Sequence, residues 1–270
     1  SFKVMSFNVR VFDLYMWTKE KNTRNKILEF LKTENPDILC LQEFYKRDEQ
    51  LKHYEFKTLD TLVKILSAKN YHVHYTTALR KTDHWGLITF SKFPIKNKGV
   101  VPFEKQGDNA AIYTDILVDG ETFRVYNNHL ASIKLAKRDY KTMKTINEQD
   151  YSNIFNNSIV LLEKVKYGFE KRAQQAELIE ESIASSPFPA IVCGDFNDSP
   201  TSYSYQTIKG DLQDTYVESG SGFGRTYIGE FPSFRIDYIF ADTTLVSSNY
   251  QTHPEELSDH HPISVQLDWK

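Results

Sequence analysis

The sequence predicts an α/β fold of the α+β kind, two packed β-sheets with helices outside, on three observations. Apolar runs of strand length outnumber helical periodicities, and the helical periodicities fall between the strand runs. The chain has 270 residues, 40% of them hydrophobic, which is enough to close a substantial core. Its 18 Phe and 16 Tyr suit a strand-rich core. No internal repeat, low-complexity tract or linker interrupts it, so one domain over 1–270 is expected.

Residues 2–9 alternate well enough for a strand ending near Asn8, followed by a polar loop through Lys21. Residues 23–31 place Ile27, Leu28 and Leu31 on one helical face, and Asn35-Pro36 stops the helix. Ile38-Leu39-Cys40-Leu41 is a strand closed by Gln42 and Glu43. A Glu after a strand is ordinarily a solvated end. A second helix is expected over 59–68, with strands over 71–76 and 86–90. Between those strands, Arg80 to Trp85 reads as a charged loop, either a plain surface or a neighbour of a phosphate-bearing ligand. Runs 111–118 and 122–129 are strands joined by Asp119-Gly120, a two-residue hairpin signal. The second ends in Asn127-Asn128-His129, where a structural, hydrogen-bonded histidine is as reasonable as an active one.

From 131 to 184 the β-like alternation disappears. The spacing of Ile159, Leu162, Val165, Phe169, Ala173, Ala176 and Ile179 predicts a long helix over about 158–185. A looser stretch with Lys134, Lys137, Arg138, Lys141 and Lys144 precedes it, and 131–171 reads as a helical insertion. That insertion is either a solvated excursion or a segment that caps a site or approaches an anionic surface. Arg172 and Gln175, three apart, share a helix face and reach inward or stay at the surface.

The apolar run Pro189-Ala190-Ile191-Val192-Cys193 ends in Gly194-Asp195-Phe196-Asn197 and predicts a buried strand that delivers polar groups. Asp195 and Asn197 are two apart and face one side of an extended segment, a pair suited to a hard cation and a phosphate oxygen. The same residues, continued by Asp198-Ser199-Pro200, are also ordinary turn chemistry. A short helix over 201–208 and a Gly-rich loop over 211–226 follow. A strand over 233–240 then carries Arg235 and Asp237 on one side, where buried charges need partners. Asp259-His260 stands at the mouth of the last strand, 263–267.

A net charge of −3 and a pI near 6.3 exclude a globally basic nucleic-acid surface, so any polyanionic substrate must be met locally. Cys40 and Cys193 both lie in apolar runs and read as buried free thiols, with a single disulfide as the alternative. Neither a disulfide framework nor a thiolate zinc site is supported. No apolar stretch approaches the length of a membrane span. The chain begins at Ser1 rather than Met, as a processed or trimmed product would, so any upstream signal or anchor is unread and no compartment is assigned.

In chain order the polar strand ends are Met5-Ser6-Phe7-Asn8-Val9-Arg10, Leu41-Gln42-Glu43, Asn128-His129-Leu130, Gly194-Asp195-Phe196-Asn197, Arg235-Ile236-Asp237-Tyr238-Ile239 and Ser258-Asp259-His260-His261-Pro262. Gly86-Leu87-Ile88-Thr89-Phe90-Ser91-Lys92-Phe93-Pro94-Ile95 joins them. This ordered set resembles the metal-dependent endonuclease/exonuclease/phosphatase superfamily. That superfamily includes pancreatic-type deoxyribonuclease, abasic-site endonucleases, neutral sphingomyelinases, inositol-polyphosphate 5-phosphatases and deadenylases. The resemblance implies a four-layered α/β sandwich, with two packed, mainly antiparallel sheets flanked by helices. It also implies Mg²⁺ or Mn²⁺ on Glu43, Asn8 and Asp259, oxygen donors of the kind that Mg²⁺ prefers.

By the same resemblance, Asp195 orients or deprotonates a water that attacks phosphorus in line, and Asn197 and Asn128 hold phosphoryl oxygens. His129 and His260 donate hydrogen bonds to the developing charge, and Asp237 pairs with His260. Whether His260 acts as base or as cationic phosphate ligand stays open. The expected substrate is a phosphodiester of nucleic acid or of a phospholipid headgroup. The alternatives are a monoester of inositol or sugar phosphate, and a catalytically silent binding module on the same scaffold. A monomer without a protein partner is expected.

Overall fold

Every second residue of the central strands faces the same partner, and that alternation builds two six-stranded sheets packed face to face in the computed structural model. The structure describes residues 1–48, 57–103, 107–133, 151–229 and 234–270. The first sheet has the order β11-β12-β1-β2-β4-β3. Its strands are β1 (Phe2–Asn8), β2 (Ile38–Arg47), β3 (Asn70–Leu79), β4 (Asp83–Ser91), β11 (Leu245–Thr252) and β12 (Ile263–Trp269). The second has the order β5-β6-β7-β8-β10-β9. It comprises β5 (Ile95–Val101), β6 (Ala110–Val118), β7 (Glu121–His129), β8 (Ala190–Asp195), β9 (Gln213–Asp214) and β10 (Asp237–Ala241). Both sheets are mixed: β1 pairs with β2 and β7 with β8 in parallel, and the other pairings are antiparallel.

Between the sheets, Phe2, Val4, Ile38 and Cys40 meet Phe123, Val125, Ile191 and Cys193. Both cysteines are free and buried. The odd-numbered residues of β1 and β2, Met5, Phe7, Leu39 and Leu41, turn outward onto α1 (Thr23–Glu34) and α2 (Thr58–Ile65). On the far side, Tyr126, Val192 and Phe240 pack against α3 (Tyr151–Ala184) and α4 (Tyr203–Lys209). The result is the layered sandwich expected, helices outside two sheets. Among the described residues no helix is long and apolar enough to cross a membrane.

Two polar pegs cross the apolar layer. The fully buried Gln42 donates from Nε2 to Asn127 Oδ1 (2.7 Å) and Ser6 Oγ (3.2 Å). Asn127 Nδ2 donates in turn to the carbonyls of Ile88 (3.0 Å) and Leu41 (3.2 Å). Further along, His72 Nδ1 of β3 and Thr114 Oγ1 of β6 lie 3.0 Å apart.

Several elements differ from expectation. Strand β2 continues to Arg47, and its pairing with β4 shifts register between Leu41 and Phe44, so Glu43 occupies a bulge at φ 52° instead of a strand end. Strand β4 starts at Asp83, and the charged loop shrinks to a turn in which Arg80 and Lys81 are both left-handed. Strands β5 and β11 were not apparent in the sequence because their polar, largely exposed residues carry no apolar alternation. The expected Gly-rich loop contains β9 and α5 (Thr215–Ser219). Strand β10 starts only at Asp237, and Arg235 lies ahead of it with Nη1 2.6 Å from Asp214 Oδ2. Arg235 and Asp237 thus serve different partners. The helix expected over 158–185 begins at Tyr151. Lys134, Lys137, Arg138, Lys141 and Lys144 lie outside the described residues.

Two measurements check this architecture. Gly194 sits at φ +145°, where an added Cβ would stand 2.1 Å from the Asn128 carbonyl oxygen. Gly194→Ala should therefore cost about 3 kcal/mol in urea unfolding, through backbone strain and a clash that cannot relax. Burial, aided by Lys98, holds the His72 pKa down at about 4 from an ordinary 6.5. The neutral folded form thus contributes stability that is intact above pH 6.5 and is lost as pH falls toward about 4. His72→Gln should flatten the fall in the urea midpoint between about pH 7 and about pH 5. An unchanged slope would exclude His72 as a source of acid sensitivity.

Candidate active site

Strand register brings the site together. In the β7–β8 pairing His129 stands opposite Asp195, and in the β8–β10 pairing Asp195 stands opposite Asp237, so three functional groups form one row on the inter-sheet face. From the other sheet, Asn8 closes β1 and Glu43 projects from the bulge in β2. The loop between β11 and β12 supplies Asp259 and His260. It is fastened by Ser258 Oγ, which donates to the Asn8 carbonyl (2.8 Å), and by a bridge between Tyr227 and His260.

Asp195 is the hub and is 1% exposed. Its Oδ1 accepts the Asn197 N–H (2.8 Å) and its Oδ2 accepts Asn8 Nδ2 (3.0 Å). His260 Nε2 lies 3.6 Å and His129 Nε2 3.8 Å from Oδ2. His129 Nε2 is also 3.8 Å from Glu43 Oε1, which accepts a second Asn8 Nδ2 contact at 3.3 Å. Both oxygens of Asp237 face His260 Nδ1, at 2.9 and 3.1 Å. Asn197 takes a left-handed conformation (φ 51°) and donates from Nδ2 to the Leu130 carbonyl (3.0 Å), joining the ends of β8 and β7.

The electrostatics follow from burial and mutual charge. Burial raises the Asp195 carboxyl, Asp237 adds to this, and His260 and His129 oppose it. Burial lowers the His260 imidazole, but Asp237, Asp195 and Asp259 outweigh it and hold the ring well above its usual range. Asp259 is raised by burial and by Glu43 against the pull of His260 and Arg10.

A cavity of about 890 Å³ opens over these groups, lined by Glu43, His129, Asp195, Asn197, Asp259 and His260 among others. Asn8 and Asp237 stand behind the lining, bonded to Asp195 and His260. Asn128 does not join them. Strand alternation sends Asn127 and His129 to the inter-sheet face, whereas Asn128 shares the α3 side with its register partner Ala111. Its amide atoms are buried without a hydrogen-bond partner among the described residues. The neighbour Asn127 is the inward amide, and it is spent on the peg to Gln42.

Arg10 was assigned no role from sequence. Four successive left-handed residues, Arg10 to Asp13 (φ 39° to 58°), turn the chain after β1 so that Arg10 Nη1 lies 3.0 Å from Asp259 Oδ2. The only hint was its place two residues after Asn8. In the wall of the same cavity, Arg172 donates from Nε to Asp198 Oδ2 (2.8 Å) and from Nη1 to the Ala131 carbonyl (2.9 Å). Gln175 Oε1 accepts the Ala131 N–H (2.9 Å). These contacts clamp the segments that follow β7 and β8.

A model of the Endonuclease/Exonuclease/phosphatase family matches residues 5–260. No curated protein matches the chain. Among solved structures, an endonuclease/exonuclease/phosphatase family protein from Bacteroides thetaiotaomicron is similar at a TM-score of 0.70 and 19% identity, covering 100% of this chain and 98% of that one. The human Nocturnin catalytic domain with bound sulfate is similar at 0.67 and 16%, covering 100% and 94%. A mannosyl-6-phosphatase from Bacteroides thetaiotaomicron VPI-5482 is similar at 0.62 and 19%, covering 100% of both chains. At these identities the structures speak for a shared fold, while the family model spans nearly the whole sequence, and on that match the chain belongs to the Endonuclease/Exonuclease/phosphatase family.

Proposed function

We propose that this chain is a divalent-metal-dependent phosphoesterase that hydrolyses a phosphodiester by in-line attack of water. The observation that carries the reading is the buried row His129, Asp195, Asp237, completed by His260 and opened to solvent through one cavity. A silent module on this scaffold has no need to bury two carboxylates and a histidine within 4.8 Å of one another.

The residues present fit a hard divalent ion. Glu43 is close enough to Asp259 that its negative charge helps raise the Asp259 carboxyl, a repulsion that a cation relieves. Among the described residues Asn8 Oδ1 accepts the Arg10 N–H alone and keeps a second lone pair. The donors are carboxylate and amide oxygens with no thiolate, so Glu43, Asn8 and Asp259 would hold Mg²⁺ or Mn²⁺. Family members typically depend on such an ion, which would neutralise phosphoryl charge and stabilise the leaving oxygen.

Within the chain, Asp195 is the proton acceptor for the attacking water. It is desolvated, its proton affinity is raised, and it is fixed by the Asn197 N–H and the Asn8 amide. His260 is the cationic donor to the phosphoryl oxygens, since Asp237 holds Nδ1 and leaves Nε2 toward the cavity. His129 donates alongside it, and Asn197 fixes the lip of β8 where the phosphate rests. The similar mannosyl-6-phosphatase favours a second reading, a phosphomonoesterase on sugar phosphates.

Bis(p-nitrophenyl) phosphate and p-nitrophenyl phosphate, assayed side by side, separate diesterase from monoesterase. Turnover should disappear in EDTA and return with Mg²⁺ or Mn²⁺, and Glu43→Gln should raise the metal concentration needed for half-maximal rate about tenfold or more. Asp195→Ala should lower kcat by about a thousandfold, the scale of a lost general base. Wild-type turnover in Asp195→Ala or in His260→Ala would sink the assignment.

A further inference from the structure

The cavity over the site has more apolar surface than cleavage of a bare phosphate requires. Val11, Trp85, Ile133 and Val165 line it alongside the polar groups. At its mouth, Tyr15, Leu79 and Phe169 belong to the same lining and yet are 72%, 54% and 48% exposed, and Met16, next to Tyr15, is 58% exposed. They come from three separate places: the turn after β1, the β3–β4 hairpin and helix α3. Apolar walls inside a pocket suit any organic substituent. Apolar side chains held out in water around its rim suit a mouth that meets an apolar phase.

Charge points the same way. The two arginines of the lining already face carboxylates, Arg10 with Asp259 and Arg172 with Asp198. Among the described residues the lining thus offers no row of unpaired cations for a polyanionic backbone or a polyphosphate. Exposed cations do occur at the rim: Arg80 and Lys81 follow Leu79 directly at the hairpin tip. They stand beside the exposed Leu79, an arrangement suited to anionic headgroups next to an apolar phase, in a chain whose overall charge of −3 gives no attraction of its own.

We infer that the ester cleaved here belongs to a phospholipid, and that the apolar rim docks on the bilayer surface so that the headgroup phosphate enters the cavity. This rests on the phosphoesterase reading above. Tyr15, Met16, Leu79 and Phe169 contact the acyl region, Arg80 and Lys81 the neighbouring headgroups. Water adds to phosphorus at the site, one P–O ester bond breaks, and the leaving oxygen takes a proton.

The test is flotation of the protein in Mg²⁺ with phosphatidylcholine vesicles containing a minor fraction of phosphatidylglycerol, together with release of water-soluble phosphate ester from the same vesicles. Wild-type protein should float and release product. A Tyr15→Asp, Leu79→Asp double variant should lose about tenfold or more in vesicle binding, the scale of two buried side chains. Both positions are exposed, and an unchanged urea midpoint will confirm that the fold is intact. As a second readout, brominated phosphatidylcholine should quench the fluorescence of Trp17 and Trp85. Turnover of bis(p-nitrophenyl) phosphate separates the two readings. Protein that cleaves it but neither floats nor is quenched overturns the lipid assignment alone, as does a double variant that floats like wild type. Protein that floats yet cleaves neither ester overturns the phosphoesterase reading, and the lipid substrate with it.

Discussion

The pairing register of β7, β8 and β10 is the constraint on which the site depends. His129, Asp195 and Asp237 are contributed by segments far apart in sequence, and one row of backbone hydrogen bonds makes them neighbours. A slip of one residue in any of the three strands would turn its functional group toward the helices. The apolar rows beneath, Val125, Ile191 and Ile239 among them, hold the register because a slip would also expose them. The inward face that buries the core is also the face that, continued to the end of each strand, carries the polar groups of the candidate site.

Charge is handled by pairing at each strand end. Asp195 and Asp237 flank His260, Asp259 faces Arg10, Asp198 faces Arg172 and Asp214 faces Arg235. Carboxylates this deep would otherwise take up protons and lose their acceptor strength. The arrangement has a conformational cost. The left-handed turn from Arg10 to Asp13 is unfavourable by about 1–2 kcal/mol per residue for L-amino acids. It is stabilised by burial of Val11 and Phe12 and by hydrogen bonds from Thr18 to Asp13.

Much of this was legible in the sequence wherever burial and local turn chemistry agree. The central strands, α1, the Asp119-Gly120 hairpin and the run into Gly194-Asp195 all combine apolar periodicity with a stop signal. Edge strands β5 and β11 were not legible, because exposed polar strands look like loops. Nor was the bulge at Glu43, which has no glycine to mark it. The choice between adjacent amides is more instructive. The family resemblance implies a phosphoryl contact for Asn128, yet strand parity puts Asn127 on the histidine's side. Period two separates these amides inside β7, whereas it does not carry from Asp195 to Asn197, because β8 ends at Asp195 and Asn197 is left-handed. Arg10 could not be read, since its partner lies far along the chain and its direction comes from an improbable backbone.

The peg between Gln42 and Asn127 has a mechanical consequence. The site is divided between the sheets, Asn8 and Glu43 on one, His129, Asp195 and Asp237 on the other. An apolar interface alone resists separation but permits sliding, since the dispersion attraction given up at one place is regained at the next. A buried amide pair of 2.7 Å permits neither, because displacement leaves both groups unpaired where water does not reach. The two halves therefore behave as one stiff body against shear. That stiffness fixes the spacing between Asn8 and Glu43 on one sheet and His129, Asp195 and Asp237 on the other, and leaves compliance to the turns at the cavity mouth.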